Sequence, residues 1–157
     1  MPTNLEVGAT APDFRLAGDG GGTISLADFK GRKLVLFFYP KADTSGCTIE
    51  AKDFSRLSAA FAAAGIAVVG VSADPVKKQD AFKSKYGLTT PLGSDETHAM
   101  LEDYGVWGQK SMYGKTYMGI NRTTVLIGAD GRIVRIWPKV KIEGHADEVL
   151  AAATAAG

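Results

Sequence analysis

The sequence predicts an α/β fold with a parallel core sheet, and three observations carry that prediction. Two continuous apolar runs, Leu34–Tyr39 and Ala67–Ser72, are too short for comfortable helices and read as strands buried on both faces. Each is followed by a helical segment. The first carries Phe54, Leu57, Phe61 and Ala64 at helical spacing and stops at Gly65; the second carries Phe82 and Tyr86 and stops at Gly87. Strand, helix, strand, helix in this order argues for parallel strands lying side by side. No repeat or low-complexity linker divides the 157 residues, so a single domain over 1–157 is expected, burying roughly two thirds of its unfolded surface.

The remaining elements fit around that core. Arg15-Leu16 and Thr23–Leu26 flank the glycine cluster Gly18–Gly22 and read as an N-terminal hairpin. The cluster has neither dinucleotide-fingerprint spacing nor a phosphate-loop lysine, so it is not read as a nucleotide site. Pro40 ends the first core strand, Lys41–Gly46 is a turn-rich connector, and Cys47 lies in the first turn of the helix that follows. Asp74-Pro75 reads as a cap and a first-turn proline for the second helix. Leu88–Leu92 is expected to be a third strand, and Ser94–Thr97 to cap a short helix running to Tyr104 and stopped by Gly105. Val106–Ile120 shows no sustained period and reads as a loop folded over Trp107, Tyr113 and Tyr117. Arg122–Ile127 and Arg132–Trp137 form strands around Gly128–Gly131, which ends in the favoured Asp-Gly pair. Gly144–Asp147 opens a final Ala-rich helix.

Composition excludes several classes of function. Lys plus Arg number 18 against 17 Asp plus Glu, and a net charge of +1 offers no footprint for nucleic acid or an anionic membrane. The lysines and aromatics interleaved in Val106–Ile120 do not reverse this, because nucleic-acid modules concentrate their basic residues. No apolar stretch approaches the roughly 18 residues of a membrane span, and MPTNLEVG lacks the basic start and apolar centre of a signal peptide. With one cysteine and no export signal, the reducing cytoplasm is the expected compartment. His98 and His145 make no metal-ligand spacing with Cys47 and read as helix-end or surface residues. Cys47-Thr-Ile-Glu50 is not the Cys-x-x-Cys of a disulfide exchanger.

Cys47 is the chemically pointed residue. A helix start presents unpaired N–H groups and a partial positive charge, both favouring an anion, and the thiolate is the reactive form of cysteine. Thr44, three residues earlier, can cap the helix or hydrogen-bond the sulfur. A free cysteine taken alone is more often buried and inert. The spacing Pro40-Lys-Ala-Asp-Thr44-Ser-Gly-Cys47 points the other way. It resembles the peroxiredoxin signature, a Pro, three residues, a Thr or Ser, two residues, then the peroxidatic Cys. Phe38–Ala42, Gly46–Thr48, the Gly-x-x-Ala-Pro-x-Phe wording of Gly8–Phe14, and Tyr104–Gly108 with Lys110, Gly114–Tyr117 and Gly119-Ile120 are similar to the Q-type, or bacterioferritin comigratory protein, branch. The resemblance covers nearly the whole chain.

This resemblance implies a thioredoxin-like fold, a central mixed sheet flanked by helices, with an N-terminal hairpin extension. It implies a thiol-dependent peroxidase that reduces hydrogen peroxide and organic hydroperoxides, with no metal, flavin or haem cofactor. Cys47 would be the nucleophile, with Thr44, Arg122 and a shielding Pro40 completing the site. From the residues alone Arg122 is an arginine at a strand start, a type usually solvated, although its fork can donate to a thiolate and a peroxide oxygen together. Glu50 lies one turn after Cys47 on the same helical face. Either it orients Arg122, as the resemblance implies, or it is simply an acid in a first turn. The departure from the pattern is Lys52, where many members carry a resolving cysteine; Phe82–Lys85 on the next helix has none either. A one-cysteine enzyme follows, a monomer or weak dimer whose sulfenic acid is reduced by an outside thiol: thioredoxin, glutaredoxin or glutathione. The competing reading, favoured by the missing resolving cysteine, is a non-catalytic redox sensor or holdase on the same fold.

Overall fold

The computed structural model describes residues 5–156; Met1–Asn4 of the N-terminal octapeptide and Gly157 lie outside them. Its main sheet has seven strands in the order β2-β1-β5-β4-β3-β8-β9. These are β1 Arg15–Gly18, β2 Thr23–Ser25, β3 Lys33–Phe38, β4 Ile66–Ser72, β5 Leu92–Ser94, β8 Thr123–Ile127 and β9 Ile133–Trp137. β3, β4 and β5 are parallel, while β1, β2, β8 and β9 join antiparallel at the margins. The sheet is therefore mixed, with the expected parallel centre and the expected N-terminal hairpin.

Period-two alternation along β3 divides its side chains between two cores. Leu34, Leu36 and Phe38 pack with Phe14, Leu101 and Tyr104 on one face. Val35, Phe37 and Tyr39 pack on the other with Phe54, Phe61, Phe82 and Val149, supplied by the helices α1 Ser45–Arg56, α2 Ser58–Ala63, α3 Val76–Tyr86 and α5 His145–Ala155. Both faces of the strand are covered, which is why its sequence is apolar without interruption. Gly70 of β4 makes room for this packing, since a Cβ there would lie 2.6 Å from the Phe37 ring.

Four details differ from the sequence expectation. The helix after Cys47 breaks at Leu57 into α1 and α2. The third core strand begins at Leu92 rather than Leu88, since Leu88 follows the left-handed Gly87 (φ +62) that ends α3, and its N–H donates to Lys83 O. The short helix α4 Ala99–Asp103 has His98 at its N-cap, with Asp95 reaching in from outside to accept from Leu101 N at 2.9 Å. Val106–Ile120 is no loop. β6 Trp107–Met112 and β7 Lys115–Ile120 pair antiparallel around Tyr113 and Gly114, whose φ values of +53 and +77 are those of a type I′ turn. No helix among the described residues is long and apolar enough to cross a membrane.

Candidate active site

β3 delivers the chain to the carboxyl edge of the sheet, where Tyr39 N donates to Val71 O at 3.0 Å and Pro40, half-buried, turns it into the connector. A buried polar relay holds this turn. The Tyr39 hydroxyl donates to Gln79 Oε1, Gln79 Nε2 donates to Ser72 Oγ at 3.0 Å, Ser72 Oγ donates to Asp74 Oδ2 at 2.8 Å, and the same oxygen accepts from Ala42 N at 2.7 Å. Asp74 is thus a clamp on the connector. The sequence expectation made it a helix cap, but Pro75 takes the N-cap position of α3.

Thr44 sits at the N-cap of α1, yet its side chain neither caps the helix nor bonds the sulfur. Its hydroxyl donates to Lys41 O at 2.8 Å and closes the connector turn, while its carbonyl accepts from Thr48 N and Thr48 Oγ1. Three residues after Thr44, Cys47 is the third residue of α1 and 1% exposed, with its sulfur at the positive end of the helix.

Arg122 crosses 75 positions of sequence to reach that sulfur, with Nη2 3.2 Å from Cys47 Sγ. Its Nη1 donates to Glu50 Oε1 at 2.6 Å, so one guanidinium fork is held by the carboxylate and aimed at the sulfur. Glu50 is 1% exposed and its Oε2 has no hydrogen-bond partner among the described residues. Burial pushes its carboxyl up to about 7, against the pull of Arg122. Burial works against the charge of Arg122 too, but Glu50 and Cys47 outweigh it and hold the guanidinium above its ordinary value. Of the two sequence alternatives for Glu50, the solvated first-turn acid is not what the structure has: the carboxylate is inside and on the arginine.

Two further residues shape the site and escaped sequence reasoning. A Cβ on Gly46 would lie 3.2 Å from Arg122 Nη2 and 3.0 Å from Ile142 Cδ1, so this glycine lets the guanidinium lie across the helix start. A glycine inside a first helical turn, where it costs about 1 kcal/mol against alanine, was the available signal. Ile142 belongs to the segment after β9, where Val140 N also donates to Arg122 O at 3.0 Å. Neither histidine hydrogen-bonds the sulfur among the described residues. His98 stacks on Trp107 with ring centroids 3.9 Å apart. His145 opens α5 as expected of a helix-end residue, but it is buried rather than at the surface, bonded to Thr124 Oγ1 at 2.8 Å between Phe54 and Trp137.

Fold and site together define a thioredoxin-like protein organised around one helix-start cysteine beneath an arginine. The chain belongs to the AhpC/TSA family, whose model matches residues 7–136. It is 44% identical over 146 residues to peroxiredoxin Bcp of Bacillus subtilis, covering 93% of each chain. Among solved structures it resembles the Xylella fastidiosa PrxQ C47S mutant, with a TM-score of 0.92 and 38% identity over 98% of each chain. It also resembles a structure of the Xanthomonas campestris bacterioferritin comigratory protein solved for insight into alkyl peroxide reduction, with a TM-score of 0.88 and 43% identity, again over 98% of each. The Q-type resemblance read from the sequence is borne out.

Proposed function

We propose that this protein is a thiol-dependent peroxidase for hydrogen peroxide and organic hydroperoxides, acting through Cys47. The observation that carries the reading is the pair of contacts made by Arg122, 3.2 Å to the sulfur and 2.6 Å to Glu50. The guanidinium and the helix N–H groups both direct positive charge at the sulfur, which attacks as the thiolate. Attack of that thiolate on a hydroperoxide forms the S–O bond as the O–O bond breaks. The leaving alkoxide or hydroxide takes a proton, and Arg122 stabilises the charge developing on oxygen without reorganising. Pro40 shields the sulfur, Thr44 fixes the connector through Lys41, and Glu50 orients Arg122. The alkyl peroxide activity described for the Xanthomonas relative extends the substrate class to organic hydroperoxides.

With Cys47 the only cysteine, its sulfenic acid is reduced from outside. One thiol displaces water to form a mixed disulfide with Cys47, and a second attacks its outer sulfur, releasing Cys47 as the thiolate and leaving the external disulfide. A cytoplasmic setting, where thioredoxin, glutaredoxin and glutathione are kept reduced, supplies that thiol, and the working form is a monomer or weak dimer. Purified protein given excess dithiothreitol and limiting peroxide should turn over many times, and Cys47→Ser should consume none. A halt after one equivalent would overturn the enzyme reading in favour of a sensor, and consumption retained by Cys47→Ser would place the chemistry elsewhere.

A further inference from the structure

An outside thiol must find the buried Cys47, and a hollow beside the connector has the chemistry to receive one kind. It has a volume of about 280 Å³ and lies between the connector, which contributes Lys41 and Asp43, and α3, which contributes Lys78, Phe82 and Lys85. Positions 78, 82 and 85 fall on one stripe of the helix, so Lys78 and Lys85 border the hollow from α3 while Lys41 borders it from the connector beside Asp43, three lysines to a single carboxylate. That carboxylate shows what the site accepts. Asp43 takes a hydrogen bond from the Tyr86 hydroxyl at 2.5 Å and an ion pair from Lys85 Nζ at 3.0 Å, and these partners hold its carboxyl below the ordinary range. Its backbone is held in the left-handed region at φ +61. Lys41 and Lys78 make no side-chain hydrogen bond or ion pair among the described residues, although they border the same space. The connector that forms one wall runs directly into the helix of Cys47.

We propose that this hollow docks the carboxylate of an anionic low-molecular-weight thiol, the reductant of the Cys47 sulfenic acid, an inference that rests on the peroxidase reading above. The carboxylate joins Lys41 and Lys78 where Asp43 already occupies Lys85 and Tyr86. The bound thiol attacks the sulfenic sulfur, forming the S–S bond and expelling the hydroxyl as water with the thiol proton. A second molecule of the thiol resolves the mixed disulfide, so that two thiols are oxidised for each sulfenic acid reduced. Cationic thiols are disfavoured by the same three lysines, and neutral ones gain nothing from them.

Two measurements on the full chain test this. After oxidation with one equivalent of hydrogen peroxide, reduction is followed by stopped flow with glutathione as the anionic probe and 2-mercaptoethanol as the neutral one. Lys78→Glu should slow glutathione about threefold or more and leave 2-mercaptoethanol and the peroxide step unchanged. Lys78→Arg should restore the glutathione rate, and 0.5 M salt should erase the preference. Equal effects on both thiols, or none on either, would overturn the proposal. The second measurement needs no oxidation and survives a failure of the peroxidase reading. Unreactive S-methylglutathione titrated into the reduced protein should shift the amide resonances of Ala42, Asp43 and Lys78, and fail to do so in Lys78→Glu; absent shifts in the unmodified protein would overturn the docking site.

Discussion

Two ion pairs flank the cysteine connector, and they differ in little except water. Arg122 meets Glu50 at 2.6 Å with side chains 16% and 1% exposed, while Lys85 meets Asp43 at 3.0 Å with side chains 59% and 44% exposed. Inside, the interaction is strong and so is the cost of desolvation, which is why Glu50 is pushed up to about 7 although an arginine touches it. Outside, both partners keep most of their hydration, the pairing is easily exchanged for salt, and exposed pairs of this kind contribute little to stability. The inner pair therefore fixes the guanidinium beside the sulfur. The outer one is a replaceable contact on a surface.

The sharpest way to break that contrast is Arg122→Ala. It removes the donor to Cys47 Sγ and leaves Glu50 buried without a countercharge. Losing one preorganised donor to a developing oxyanion costs about a hundredfold in rate or more, and that loss is expected in the second-order constant for hydrogen peroxide, measured by competition. Breaking a buried pair from one side typically costs about 3 kcal/mol. Here the penalty should shrink at pH 6, where the orphaned Glu50 takes a proton, so denaturant midpoints compared at pH 6 and pH 8 should diverge from those of the unmodified protein mainly at the higher pH. Arg122→Lys should recover little of the rate, because an ammonium cannot serve the sulfur and Glu50 in two fixed directions.

Glu50→Gln is the milder probe of the same pair. The carboxyl of Glu50 is raised by burial, so the folded state holds its proton more tightly than the unfolded chain. Its contribution to stability is complete below the unfolded value near 4.5 and is lost as pH rises through about 7. Urea midpoints of the unmodified protein should fall across that window from this group, and the glutamine variant should lack the decline. Gln keeps an acceptor for Arg122 Nη1, so the peroxide rate at pH 8 should change by less than about tenfold, the range of a neutral replacing a charged hydrogen bond. A slope unchanged in Glu50→Gln would remove the proton from this carboxyl.

What could be read from the sequence follows the same division between inside and outside. β3 and β4 were legible because strands covered on both faces leave an unbroken apolar record, and Gly87 ended α3 because only glycine takes φ +62 without penalty. The hairpin of β6 and β7 left no such record. Residues 115 to 118 are all exposed, so no alternation marks a buried face, and its turn is Tyr113-Gly114 rather than the familiar Asn-Gly. At the site, local chemistry pointed to Cys47, but nothing in spacing or periodicity links it to Arg122, 75 positions away; the family resemblance made that link. Thr44 and Asp74 show the limit on polar residues. Composition marked both as caps, yet their side chains turn to Lys41 O and Ala42 N, partners that only the folded connector brings near.

The smallest effect belongs to the outer pair. Asp43→Asn removes the charge but keeps an acceptor for Tyr86 and a residue type that tolerates the left-handed backbone at φ +61. Because Lys85 and Asp43 are both largely hydrated, the peroxide rate constant should shift by less than about twofold and the thermal midpoint should stay within the scatter of replicate melts. The inner pair sets a ready control, since the same neutralisation made at Glu50 reshapes the pH profile. If Asp43→Asn instead slowed the peroxide step tenfold, the connector would depend on its outer contact, and burial would no longer explain why Arg122 and Glu50 dominate at the sulfur.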